Sequence, residues 1–246
     1  SSDKILIGGL FTTFDSNSCH FIARLNNDGS YDSSFNSIVG ANEAVFDIKT
    51  QADGQIYIAG NFTNFAGSPR KGIARLNDDG SLDSSFDPGA GANIAIEALA
   101  LQDDGKILIA GGFTHYNGIA RNRIARLNSD GTLDLSFDPG GGANSRIETI
   151  SLQPDGAVII GGSFTAYDGV SRNSIARIES NGFLDPGFDP GIGANGSVTC
   201  SALQLDGRIL IGGYFTSLDG ATANQISRLN VDGSVDSSFD SGLGTF

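Results

Sequence analysis

The 246-residue sequence repeats itself. A shift of 51 positions aligns Ile5, Ile56, Ile107, Val158 and Ile209, and the same shift aligns Phe11, Phe62, Phe113, Phe164 and Phe215 without a gap. A fixed period of this size signals an array in which each supersecondary unit buries its apolar face only by stacking on its neighbours. The expectation is a single domain, residues 1–246, made of repeats at 5–55, 56–106, 107–157, 158–208 and an incomplete 209–246.

Two turn signals set the register inside a repeat. Gln153-Pro154-Asp155-Gly156 and Asn128-Ser129-Asp130-Gly131 both carry the chemistry of a type I turn followed by a left-handed glycine, a three-residue hairpin loop. Four strands are expected around them: a over residues 147–153, b over 107–114, c over 123–128 and d over 132–138, with a and b buried on both faces. A four-stranded antiparallel meander recurring at this period predicts an all-β protein, a β-propeller that is five-bladed or part of a larger propeller.

The hairpin register pairs Asn77 with Ser81, Leu76 with Leu82 and Arg75 with Asp83. The same Arg and Asp positions hold Arg24 with Asp32, Arg126 with Asp134, Arg177 with Asp185, and Arg228 with Asp236. Opposite charges facing each other across two strands stabilise by about 0.2–1 kcal/mol. These ten residues are read as structural pairs, in preference to five arginines around a ligand.

Running up a, down b, up c and down d collects the Asp-Gly turns at one end of the strands and the long loops at the other. The long-loop end carries Phe65, Tyr116 and Tyr167 at one phase, Arg70, Arg121 and Arg172 at a second, and Asn93, Asn144 and Asn195 at a third. Aromatic rings with amides and guanidiniums can stack on and hydrogen-bond a sugar, or form a protein interface, so these nine are the ligand-binding candidates. Each aromatic taken alone also reads as an anchor of its own loop.

Charge narrows the partners. With 28 acidic against 15 basic residues the net charge is -13, and the field repels nucleic acid and anionic membrane surfaces. No run of 18 apolar residues is present, so no membrane insertion is expected. There is no Met, which suggests a processed or excised segment. The last repeat stops before a copy of residues 94–102, so the first repeat lacks a strand a and is expected to expose an open edge at residues 5–9. Either the chain comes from a longer array, or the strand is supplied by another segment or molecule, a route to self-assembly by strand addition. Cys19 and Cys200 fall at different phases and read as free thiols.

No catalytic constellation recurs. His20 and His115 sit at unrelated phases, and no Ser/His/Asp or Cys/His spacing surrounds them. The expectation is no enzyme and no cofactor. The alternative is a carbohydrate-active enzyme, a glycoside hydrolase or lyase, using the non-repeated carboxylates of the long-loop end, Asp15, Glu43, Asp168 and Asp219. The run from Asn77 to Asp83 places oxygen ligands close together as calcium loops do, but its glycine stands fourth where an EF-hand needs it sixth; turn chemistry accounts for it without Ca2+. Gly89-Ala90-Gly91 is a bend and not a phosphate cradle, since no helix follows it.

The stretches ILIAGGFT at 107–114, RIARLNSDGTLDLSFDPG at 123–140 and SLQPDG at 151–156 resemble the delta-60 repeat family of bacterial β-propeller-like proteins, and the likeness covers essentially the whole chain. The first copy departs from it in the b-to-c loop, which lacks the Gly and Arg, and the fifth has Ala223 in place of the Arg. The resemblance implies a large secreted or surface-exposed bacterial protein and brings no catalytic signature. A noncatalytic extracellular module, binding protein or glycan at the cell surface through the long-loop end, is the reading that follows.

Overall fold

The computed structural model describes residues 4–36, 39–240 and 242. Every regular element among them is a β-strand. The chain divides into two compact units: one holds the residues up to Ile109 with 113–120 and 126–134, the other holds 110–112, 121–125 and the residues from 135 onward.

Strand a recurs at Val45–Thr50, Ile96–Leu101, Ile147–Leu152 and Val198–Leu203. Strand b recurs at Ile5–Gly8, Ile56–Gly60, Ile107–Gly111, Val158–Gly162 and Ile209–Gly213. Strand c is Ile22–Leu25, Ile73–Leu76, Ile124–Leu127, Ile175–Ile178 and Ile226–Leu229. They form four three-stranded sheets in the order a-b-c and a two-stranded first sheet of b and c, antiparallel wherever the register is defined. Strand b of the second, third and fourth sheets is buried along its length. Strand a is not: the one at Ile147–Leu152 is half-buried beyond its first residue, and the one at Val198–Leu203 exposes alternate side chains, so the expectation of burial on both faces fails there.

The Asp-Gly turns form as their chemistry dictates. Asn77 N–H donates to Ser81 O and Gly80 N–H returns to Asn77 O, both at 2.9 Å, with Gly80 in the left-handed region at φ 82°. The register places Leu76 opposite Leu82, and the equivalent bridges are Leu25 with Tyr31, Leu127 with Leu133, Ile178 with Leu184 and Leu229 with Val235.

The expected fourth strand stops at that single bridge. Asp83 Oδ1 accepts from the backbone N–H of Ser85 at 2.9 Å and from its hydroxyl at 2.7 Å, which bends the chain out of the sheet. It then bonds to the next repeat's turn: Asn36 N–H donates to Asp79 O, Asp87 to Asp130 O, Asp138 to Asn181 O and Asp189 to Asp232 O, at 2.7–2.8 Å. A four-stranded meander is thus replaced by three strands and a strap.

The second departure lies between b and c, where each loop contains a two-residue hairpin. Tyr116 pairs with Ile119 across Asn117-Gly118, and Tyr167 with Val170 across Asp168-Gly169. Asn117 and Asp168 have φ near 47° and the glycines 77°, the positive pair a type I′ turn requires.

Strand a begins with a bulge. Its register shifts between Val45 and Asp47, Ile147 and Thr149, and Val198 and Cys200. The bulged backbone presses on the last glycine of strand b: a Cβ on Gly60 would stand 2.0 Å from Ala44 O, and on Gly162 2.1 Å from Arg146 O. That contact is why the repeat ends strand b with glycine.

Each core cluster draws on consecutive repeats. In the first unit Ile22 and Phe35 pack with Val45, Ile56, Phe62 and Phe65; in the second, Ile159, Ile175 and Phe188 pack with Val198, Ile209 and Phe215. A single repeat would leave these side chains in water.

Candidate binding site on the loop face

The residues common to the repeats hold the repeats together. In all five, the arginine Nε lies 2.6–2.8 Å from the Asp Oδ2 eight residues on. Arg75 and Arg177 also pass Nη1 to a carbonyl of the following repeat, Ser129 at 2.6 Å and Val231 at 2.7 Å, and Arg24 does the same with Asp78. The guanidinium lies over the phenyl ring of its own strap at 5.0–5.3 Å in Arg24 with Phe35, Arg75 with Phe86, Arg177 with Phe188 and Arg228 with Phe239. Burial alone would raise the Asp83 carboxyl, but hydrogen bonds from Ser85 and the Arg75 guanidinium hold it below the usual range.

The aromatic candidates face inward. Phe65, Tyr116 and Tyr167 have no exposed surface, and the two phenols donate to Gly131 O at 2.9 Å and Gly182 O at 2.7 Å. They offer no face to a ligand. They act as the loop anchors that each aromatic taken alone suggests, tucked beneath the hairpin that carries them.

The asparagines are exposed but engaged. Asn93 Oδ1 accepts from the N–H of Thr114 and of His115 at 2.9 and 3.0 Å, and its Nδ2 donates to Thr114 Oγ1 at 2.9 Å. Asn144 does the same on Thr165 and Ala166, and Asn195 on Thr216 and Ser217. Each therefore pins the linker before strand a to the hairpin, beside the bridges Ala92 to Tyr116, Ala143 to Tyr167 and Ala194 to Leu218. Arg70 and Arg172 are half-buried and turn Nη1 onto the preceding carbonyl, at 2.8 and 2.9 Å; Arg121 is also half-buried. Asn and aromatic positions are thus brought together, and Arg70 and Arg172 close the base of the same hairpins, their N–H donating to Thr63 O and Thr165 O at 3.0 Å.

Of the non-repeated carboxylates, Asp168 and Asp219 cap the bends of the linker, accepting from Gly141 N–H at 2.7 Å and Ile192 N–H at 3.0 Å. Glu43 accepts from Asn61 Nδ2 at 2.6 Å. Among the described residues no three His, Cys, Asp or Glu side chains come together as a metal site would need.

What remains open on this face is a pocket between successive sheets, present at equivalent positions in both units. In the first unit Gly60–Thr63, Lys71, Gly72 and Ala92–Ala95 enclose about 140 Å3. In the second, Ser163, Thr165, Asn173, Ser174 and Ala194–Ser197 line an open cleft of about 360 Å3. At the wall of the latter, Tyr214 N–H donates to Ser197 O at 2.8 Å, and Tyr214 is 80% exposed.

Three positions at these pockets change from repeat to repeat. One lining position reads Leu10, Asn61, Gly112, Ser163 and Tyr214; another reads Phe21, Gly72, Arg123, Ser174 and Gln225; a third reads Glu43, Ile94, Ser145 and Gly196. The flanking Phe-Thr and Ala-Asn pairs do not change. The second position is left-handed in every copy, at φ 63–79°, although only one copy has glycine. Non-glycine residues held in that region cost energy and gather at functional sites. Comparing the copies column by column would have found these residues; a search for shared motifs passes over them.

The repeated three-stranded sheets, the straps and the arginines that join them define an all-β repeat protein. A family described as a domain of unknown function (DUF5122) beta-propeller matches residues 1–35, 51–86, 102–137, 153–188 and 204–239, and the chain belongs to that family. The matched segments run from the turn before strand b to the strap and leave out the linker and strand a. No curated protein matches the chain. Among solved structures, a Bacteroides caccae protein of unknown function matches with 14% identity and a TM-score of 0.35, over 96% of this chain and 92% of that one. The extracellular domain of a one-component system of B. thetaiotaomicron matches with 16% identity and a TM-score of 0.49, over 91% of this chain and 26% of that one. A gluconolactonase of Xanthomonas campestris matches with 16% identity and a TM-score of 0.46, over 78% of this chain and 62% of that one.

Proposed function

We propose that the chain is a noncatalytic interaction module of an extracellular or cell-surface bacterial protein, contacting a protein or glycan partner with its loop face. One observation carries this reading: open pockets on that face are lined in part by side chains that change from repeat to repeat, whereas the shared Arg–Asp pairs are spent on joining repeat to repeat. The surface location is what the sequence's resemblance to delta-60 repeats implies; the family that matches is the DUF5122 beta-propeller and not that one. The engagement of Asp168, Asp219 and Glu43 in backbone or amide hydrogen bonds favours binding over the glycoside-hydrolase alternative, which needs two carboxylates free to act on one bond.

Self-association adds a second contact. Among the described residues strand Ile5–Gly8 pairs with Ile22–Leu25 on one side only, and its other edge is the one that strand a occupies in the remaining sheets. An extended strand from another segment or another copy fits that edge, and light scattering across a concentration series tests it.

The partner reading is tested by immobilising the protein and measuring capture from a glycan array and from a cell-envelope fraction. Val170→Lys and Ile192→Lys on the loop face should abolish capture, and Phe183→Lys on the turn face should leave it intact. Equal loss from both faces would refute the loop face as the contact.

A further inference from the structure

The second unit's pocket has a chemistry of its own. Its lining side chains are hydroxyls, amides and the methyl of Ala194, and the carboxylate beside it, Glu148, is hydrogen-bonded to Ser163. Asn173 Nδ2 donates to Ile192 O at 2.6 Å, which leaves its Oδ1 and a second N–H to offer. Thr165 Oγ1 accepts from Asn144 at 2.8 Å and keeps its own proton to give. The hydroxyls of Ser174 and Ser197 add donors and acceptors on both sides of the cleft. An anionic ligand would be desolvated here without a counter-charge and beside Glu148, and an apolar one would strip water from these groups without replacing it. A ring bearing several neutral hydroxyls meets both demands. The volume, about 360 Å3, falls within the range of small-molecule sites. Tyr214 and Ile192, 80% and 66% exposed, stand on the adjoining segments, where an aromatic and an aliphatic surface suit the apolar face of a pyranose.

The equivalent positions elsewhere explain why this copy differs. In the first unit Lys71 replaces Asn173, Ile94 replaces Gly196 and Ala95 replaces Ser197, and the cavity shrinks to about 140 Å3. In the third repeat Arg123 occupies the position of Ser174 at φ 69° and turns its guanidinium onto Gly112 O, at the edge where Ser163 lines the open pocket.

We propose that Ser163, Asn173, Ser174 and Ser197 form a subsite for one neutral saccharide unit, with the left-handed residue 174 deciding whether the subsite is open. This rests on the loop face being the contact face and narrows its ligand to a glycan.

The test is a titration of the isotope-labelled protein with methyl glycosides of glucose, galactose, mannose and N-acetylglucosamine, followed by amide NMR shifts, with glucuronate as the charged comparator. At least one neutral glycoside should shift the amides of 163–174 and 194–197, with binding at least about tenfold weaker for glucuronate. Ser174→Arg, a residue the chain already holds in this conformation at Arg123, should weaken binding by about tenfold or more with the melting temperature retained. Asn173→Lys, the residue at Lys71, should do the same and serves if the first variant fails to fold. No shift at these amides with any glycoside up to about 50 mM, or shifts undiminished in the folded variants, would overturn the proposal. Capture of an envelope protein by the loop face, with no glycoside response, would reject the saccharide subsite and leave the module reading standing.

Discussion

Arg75 joins two repeats through one guanidinium: Nε donates to Asp83 of its own repeat at 2.8 Å while Nη1 donates to the Ser129 carbonyl of the next at 2.6 Å. Nη2 reaches Ser85 Oγ at 2.9 Å, and Asp83 is thereby held by the arginine on one oxygen and by the serine on the other. The side chain is 8% exposed, so its removal strands a shielded carboxylate. Arg75→Ala should destabilise the protein by about 3 kcal/mol, and Arg75→Lys by nearly as much, because an ammonium cannot serve three acceptors in a fixed plane. Chemical denaturation measures both, and a loss below about 0.5 kcal/mol would be that of a surface pair.

The two glycine environments separate a steric requirement from a conformational one. Gly162→Ala puts a methyl 2.1 Å from Arg146 O and should cost more than about 3 kcal/mol by forcing the bulge apart. Gly169, at φ 77° with nothing within 4 Å, should cost only about 1–2 kcal/mol as alanine. Reversal of that order in thermal melts would contradict the bulge as the reason for the glycine.

Tyr116→Phe deletes the hydroxyl that meets the Gly131 carbonyl at 2.9 Å in a buried setting. The expected loss is about 1–2 kcal/mol, with the fold kept, since the second repeat already has Phe65 at this position.

Acid should unfold the protein through its Arg-paired aspartates. Asp83 and Asp185 are held below the usual carboxylate range, and Asp236 is lowered to about 2, chiefly by the hydroxyl and backbone N–H of Ser238, then by Arg228. Lowered folded values mean that the unfolded chain binds protons first. The stabilisation is complete above the unfolded value near 4 and disappears as pH falls from there toward about 2. Stability that stayed constant from pH 5 to about 2 would contradict the pairing.

The sequence carries the turn register almost whole, because an Asp-Gly loop of fixed length leaves one pairing for Leu76 and Leu82. It hides the strap, because residues 132–138 alternate as a strand does, and only local bonds such as those of Asp32, Asp83, Asp185 and Asp236 to the residue two places on pull the chain away. The small hairpins go unread as part of a loop, although Tyr-Asn-Gly-Ile and Tyr-Asp-Gly-Val set Asx-Gly between apolar residues as a type I′ turn requires. The pocket was not legible, since its residues share no motif; position alone unites Gly72, Arg123 and Ser174.

The account holds that shared residues build the array and varied ones serve recognition. Thermal denaturation of a protein in which the fourth repeat receives the third repeat's residues, Ser163→Gly, Ser174→Arg and Ser197→Arg, tests this most directly. A melting temperature within about 2 °C of the parent is predicted, since about 1 kcal/mol moves a chain of this size by 2–4 °C. A fall as large as that of Arg177→Ala would mean that the varied residues also hold the structure, and would contradict the account.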